Sequence, residues 1–165
     1  AAPLELYRAP EKLIYRFINR QLVFAYDDRQ RLTLNSCNVV IPHIPGLDMR
    51  YIMAILNSRV AQYIYEKRYN AVKVLRSHIE NIPVPVADEE TQRRIISKAE
   101  ELMAEELITE SSVNSEMQTY KTGKDHLQRY RLYEEIDDIV RKLYSVTDEE
   151  YEFIKQSLSG DKYML

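Results

Sequence analysis

Residues 12–42, KLIYRFINRQLVFAYDDRQRLTLNSCNVVIP, decide the class of fold. The runs KLIYRFI (12–18) and QLVFAY (21–26) are rich in Ile, Leu, Val, Tyr and Phe, which suit a pleated, half-buried surface. Asn19 and Arg20 between them are a hairpin-length connection, and Asn tolerates the positive φ of a two-residue turn. Asp27-Asp28-Arg29-Gln30 reads as a polar turn into RLTLN (31–35) and CNVVI (37–41). In RLTLN the alternation sets Leu32 and Leu34 on one face, Arg31 and Thr33 on the other. Three or four short strands on tight turns predict an antiparallel meander, which Pro42, Pro45 and Gly46 end.

Beyond Gly46 the pattern changes from period 2 to period 3.6. Asp48 is placed to cap a helix running to about Glu66, with Ile52, Ile55, Leu56, Val60, Tyr63 and Ile64 on one face. KRYNAVKVLRSH (67–78) breaks that stripe and carries Lys67, Arg68, Lys73, Arg76 and His78. In Ile82-Pro83-Val84-Pro85-Val86 the two prolines bar a central strand and favour an extended edge. Asp88-Glu89-Glu90 opens a helix whose stripe, from Ile95 to Leu107, ends near Ile108. Residues 109–119 read as a linker, and 120–144 as a second helix with Leu127, Tyr130, Tyr133, Ile136, Ile139, Val140 and Leu143 on one side. Thr147 and Glu150 match a capping box for a last helix over 148–158. The expected class is α+β: a small antiparallel or mixed sheet with packed helices, followed by a C-terminal helical region. The expected division is a strand-rich core over 11–87 and a helical region over 88–165.

The 165 residues carry 23 Lys/Arg and 26 Asp/Glu, a net charge of −3 that conceals an asymmetry. Residues 1–87 hold 12 bases and 7 acids, net +5, which leaves net −8 for residues 88–165. A basic half beside an acidic half points to a polyanion partner for the first, although Glu-rich helices alone produce such a split. With 45% hydrophobic and 30% charged residues, the chain is neither collagen-like nor disordered. No apolar run approaches the roughly 20 residues that span a bilayer, and no basic-then-apolar leader opens the chain. One cysteine, Cys37, fits a reducing, cytoplasmic setting. Ala1 in place of Met suggests a piece of a longer parent.

Catalytic signatures are missing from the sequence. Gly46, Gly123 and Gly160 are isolated, so no glycine-rich turn brings a backbone to a phosphate or nucleoside. His43, His78 and His126 have no metal-site spacing with the lone cysteine. Cys37 reads as a small buried strand residue, Asp27-Asp28 as a turn, and Asp137-Asp138 as a solvated helix face. Of the 13 tyrosines, Tyr15, Tyr26, Tyr65 and Tyr69 lie among the bases of the first half, where stacking on nucleobases competes with ordinary strand packing.

Several stretches in fixed order carry a resemblance: the strand-rich KLIYRFINRQLVFAYDD (12–28), ILNSRV (55–60), a basic stretch, HIENIPVP (78–85), EETQRRIISKAEEL (89–102) and EIDDIVRKLYSVTDEEYEFI (135–154). Together they resemble the C-terminal specificity, or target-recognition, domain of TaqI-like and Eco57I-like adenine-specific DNA methyltransferases of type II restriction–modification systems. The resemblance spans about residues 11–155. It implies a domain that binds double-stranded DNA and is not itself catalytic. The Asn/Asp-Pro-Pro-aromatic motif of those enzymes is missing, since no two prolines here are adjacent. S-adenosylmethionine and methyl transfer are therefore expected in a catalytic domain supplied in cis or in trans, with or without a fused endonuclease.

Reading duplex DNA takes cations for phosphates and a few side chains for base edges. Candidates are Arg16, Arg20, Arg29, Arg31, Lys67, Arg68, Asn70, Lys73 and Arg76. The polar strand face and the 67–78 stretch are expected toward DNA, the acidic helices away from it. Asn57 and Ser58 are expected to make local hydrogen bonds. Two other readings stand beside this one: a domain like those of type I specificity subunits, and a helical assembly module that binds no DNA.

Overall fold

The computed structural model describes residues 3–33, 36–69, 71–112 and 124–158. Among them are α1 (Leu4–Tyr7), β1 (Lys12–Arg16), β2 (Phe24–Asp27), β3 (Cys37–Val40), α2 (Met49–Leu56), α3 (Arg59–Tyr69), α4 (Arg76–Glu80), α5 (Glu89–Ser112), α6 (Lys124–Leu143) and α7 (Asp148–Ser157). The fold is α+β, with an antiparallel sheet followed by a helical C-terminal region, as the patterning predicts.

The strand order is β2-β1-β3, with Tyr15 opposite Phe24 and Asn38. This corrects the expected meander: β3 pairs with β1, not with β2. β1 is central because its apolar residues Leu13 and Tyr15 are both buried against the helices. β1 and β2 form the expected antiparallel hairpin, in the register centred on Asn19-Arg20, but the ladder ends at Arg16–Val23 and the tight two-residue turn does not close. β1 instead runs on, and its extension pairs with a distant segment: Asn19 N–H donates to Val72 O at 3.0 Å and Val74 N–H to Phe17 O at 2.9 Å. β2 starts only at Phe24 because Leu22 is drawn into the core, its N–H donating to Gln62 Oε1 at 2.7 Å.

RLTLN does not become a strand over 31–33, and Leu34 and Asn35 lie outside the described residues. Leu32 is exposed, so the predicted alternation fails. The cause is Asp27, which accepts the Arg31 N–H at 2.9 Å and the Arg29 N–H at 3.3 Å. Gln30, at φ 53°, completes that tight turn. Asp27 is thus buried under the turn, where it pairs with Lys12.

Asp48 caps α2 as expected, accepting the Arg50 N–H at 2.8 Å. The single helix predicted to Glu66 is two, broken at Asn57-Ser58. Asn57 bonds across the fold rather than locally: Oδ1 accepts the Phe24 N–H at 2.9 Å and Nδ2 donates to Phe24 O at 2.8 Å. Ser58 bonds locally, its Oγ accepting the Ala61 N–H at 3.1 Å near the start of α3. The stretch 67–78 is more regular than its sequence implies, since Lys67 and Arg68 belong to α3 and Arg76 opens α4. Residues 83–88 are irregular, and the carbonyls of Pro83 and Pro85 accept the hydroxyls of Tyr144 and Tyr51.

α5 continues through 109–112, where a linker is expected, and residues 113–119 lie outside the described residues. The buried stripe of α6 is Leu132, Ile136 and Val140, whereas Leu127 is exposed. The capping box of α7 forms, with Thr147 Oγ1 accepting the Glu150 N–H and Glu150 Oε2 accepting the Thr147 N–H. Asp137 is the plainest departure from the solvated face expected of it. It is 1% exposed, accepts the Arg59 N–H at 3.1 Å and the Tyr151 hydroxyl at 2.7 Å, and pairs with the buried Arg59 guanidinium. Core side chains from the strands, from α2 and α3, and from α5 and α6 form one apolar cluster.

Candidate nucleic-acid interface

Four of the nine sequence-predicted residues, Arg16, Arg20, Lys73 and Arg76, lie where β1 runs on toward Val72–Val74, and Lys67 and Arg68 stand in the last turn of α3. Gln62, fully buried on α3, sets the first part of this end. Its Oε1 takes the Leu22 N–H and its Nε2 donates to Arg20 O at 3.1 Å, so the chain turns there with Arg20 exposed. Arg16, also exposed, ends β1.

The second part is the segment from Tyr69 to Glu80. Tyr65, 1% exposed, donates its hydroxyl to Ala71 O at 3.2 Å. Tyr69 stacks on His78 at 4.1 Å, and Tyr65 lies 5.8 and 5.9 Å from these two rings. Arg68 Nη1 donates to Asn81 O at 2.8 Å and ties the end of α3 to the end of α4. Val74 is buried, and its N–H is tied to Phe17 O. The cations stand outside this frame. Lys67 lies 5.2 Å over the Tyr63 ring and Lys73 5.8 Å over Phe17. Arg76 is 79% exposed and pairs with Glu80, one turn on.

Arg29 and Arg31 do not join this group. They follow β2, beside Lys12, at the opposite end of β1. A five-residue strand separates the two ends by roughly 13 Å. Arg31 leans on Asp27 at 3.3 Å and Arg29 on Asp28 at 4.0 Å, so each is partly neutralised. Burial raises the Asp27 carboxyl, but the Lys12 ammonium and the two backbone N–H donors outweigh it and hold the group below the usual carboxylate range. Asn70 lies outside the described residues.

The same end carries a cleft of about 660 Å³ between the sheet and α2, α5 and α6. Tyr26, Arg29, Arg31, Arg50 and Glu100 stand at it. Arg50 is committed to Asp48 at 2.7 Å and to Glu100. The Tyr26 hydroxyl is pushed up to about 12, by burial first and then by Glu11, so it stays protonated and cannot act as a base near neutrality. Among the described residues no three His, Cys, Asp or Glu side chains gather as a metal site. Cys37 is half-buried in β3 rather than fully so. Tyr15 and Tyr65 are core residues, which removes them as stacking platforms.

Two buried functional supports were not evident from sequence. Gln62 looks like one more polar helix residue, and Arg59 like one more surface cation. Gln92 is a partial exception, since a Gln helix belongs to the resemblance. It donates to the carbonyls of Gly46 and Ala87 at 3.0 Å each, holding the start of α5 on the loop before α2.

An α+β frame thus presents exposed cations where its central strand runs on past Arg16. The family model for the TaqI-like C-terminal specificity domain matches residues 1–84, just over half of the chain, and the chain belongs to that family. The match covers the sheet, α2, α3, α4 and these cations. No curated protein matches the chain. Among the described residues no helix is long and apolar enough to cross a membrane.

Proposed function

We propose that this chain is the DNA sequence-recognition domain of an adenine-specific DNA methyltransferase of a restriction–modification system. It binds double-stranded DNA and leaves methyl transfer to a catalytic domain in cis or in trans. The observation that supports this reading most directly is the set of exposed cations Arg16, Arg20, Lys73 and Arg76 along the extension of β1, with Lys67 and Arg68 in the last turn of α3, all inside the family match. Glu66 and Glu80 are the acids within the α3–α4 part of this end, so cations dominate it. The phosphate backbone rewards such a surface through counterion release, and the buried Gln62, Tyr65 and Val74 beneath it fix its shape before binding.

The parent enzyme belongs to the type II, TaqI-like group, works in the cytoplasm, and takes S-adenosylmethionine in its catalytic domain. It would extrude its target adenine from the duplex, as enzymes acting on a base must. Arg29 and Arg31, at the far end of β1, are placed to meet phosphates across a groove that is about 12 Å wide. The helical region 88–165 serves as the packing surface for the core and the catalytic domain.

A mobility shift of the full chain on random-sequence duplexes at low and moderate salt tests the reading. Binding that weakens steeply with salt is expected. Salt-independent binding, or none at low salt, overturns it and favours the assembly module.

A further inference from the structure

The ladder between 17–19 and 72–74 makes a short two-stranded antiparallel ribbon with one face toward the core and one toward solvent, the Lys73 ammonium reaching round its edge to the Phe17 ring. The bonds Asn19 N–H to Val72 O and Val74 N–H to Phe17 O flank the pair Ile18 and Lys73, so that pair is the narrow, non-hydrogen-bonded kind with adjacent side chains. By strand alternation one face holds Tyr15, Phe17, Val72 and Val74, of which Tyr15 and Val74 are buried, Phe17 is half-buried and Val72, at the end of the ribbon, is exposed. The other face holds Arg16, Ile18, Lys73 and Leu75, all exposed, and Leu75 continues the extended backbone at φ −89°, ψ 154°. Ile18 is 58% and Leu75 42% exposed.

Single exposed apolar residues are ordinary on protein surfaces. Here two share one ribbon face with Arg16 and Lys73, and Arg20 and Arg76 flank it. The cations select a polyanion, while the apolar side chains need an apolar contact within it. Along duplex DNA, the thymine C5-methyl group is the apolar feature of the major-groove edges, and that groove admits a two-stranded ribbon.

We infer that the 16–19/72–75 ribbon is the base-reading element, entering the major groove with Ile18 and Leu75 against thymine methyl groups while Arg16, Lys73 and their neighbours hold the flanking phosphates. This rests on the DNA-recognition reading above and goes beyond it by naming the element and the chemical group read.

The test uses the full chain. Duplexes are selected from a random library, then rebuilt with uracil in place of thymine, which removes only the methyl groups. The wild type should lose about fourfold in affinity per contacted methyl. The variant Ile18→Ser/Leu75→Ser should bind more weakly than wild type to the thymine duplex, and should bind the thymine and uracil forms alike. Its unfolding midpoint should match the wild type because both side chains are exposed, and Ile18→Val should keep most of the discrimination. Selected sites whose binding ignores the uracil exchange overturn the inference while leaving DNA recognition standing. So does a double variant that discriminates as well as wild type. A double variant that keeps its DNA affinity but no longer binds the methyltransferase catalytic domain overturns it in favour of a protein contact. Failure of the wild type to bind any duplex removes the DNA reading and this inference together.

Discussion

Lys12 and Asp27 are opposite charges taken wholly out of water where β1 begins and β2 ends. Such a pair offsets its desolvation only while both partners remain, so Asp27→Asn should destabilise the chain by about 3–5 kcal/mol in denaturant titration. Replacing both residues with apolar ones of similar volume should cost far less. Because the folded Asp27 carboxyl titrates below its ordinary value, its contribution is complete above the unfolded pKa of about 3.9. That contribution falls away as pH drops toward the folded value, so the stability gap between wild type and Asp27→Asn should narrow in acid. Asn57 is a second single-residue clamp. Asn57→Ala leaves the Phe24 N–H and C=O without their partners and should cost about 1–3 kcal/mol, measured the same way. Neighbouring Ser58 was legible from sequence, since its bond to Ala61 is three residues away. The Asn57 bonds were not, because their partner lies 33 residues upstream.

Helix α7 shows what local chemistry can specify. Thr147 and Glu150 satisfy one another's backbone donors within one turn, so sequence alone locates the helix start. Thr147→Ala should lower stability by about 1 kcal/mol. The strands show the opposite case. KLIYRFI and CNVVI were readable as strand-formers, but their pairing depends on which of them the helices bury, and that put β1 in the centre. The hairpin around Asn19-Arg20 kept its register but lost its tight turn for the same kind of reason. A turn preference worth little lost to burial of Leu22 and to the bonds that Gln62 and Val72 offer. Likewise Asp137, the partner of Arg59, reads as a surface charge because its spacing puts it beside polar neighbours on its own helix. Packing α6 and α7 against the start of α3 buries both. Arg59→Leu should therefore cost about 3–5 kcal/mol, by stranding Asp137, in the same titration.

At the scale of the whole molecule, charge separation was the most informative part of the sequence, and the fold decides which of those charges act together. Lys67, Arg68, Lys73 and Arg76 fall within ten residues, the last turn of α3 carrying the first two and the ribbon and the start of α4 setting Lys73 and Arg76 beside Arg16 and Arg20. Arg29 and Arg31 share the same composition signal but sit at the far end of β1, each partly neutralised by a neighbouring carboxylate. Replacing Lys67, Arg68, Lys73 and Arg76 together with Ala should weaken binding to every duplex by a similar factor, because phosphate contacts carry no sequence information. Each lost contact should also reduce the slope of log affinity against log salt by roughly 0.9. Arg76 is paired with Glu80, so its share of that slope should be the smallest of the four. The control replaces Arg93, Arg94, Arg131 and Lys142, cations of the acidic half. That variant carries the same change in net charge but should leave the slope unaltered. Equal losses in the two variants would mean that net charge alone governs binding, and the cationic end would then not be the surface that meets DNA. A loss confined to the first set, with an unfolding midpoint unchanged from wild type, ties affinity to that end of the sheet.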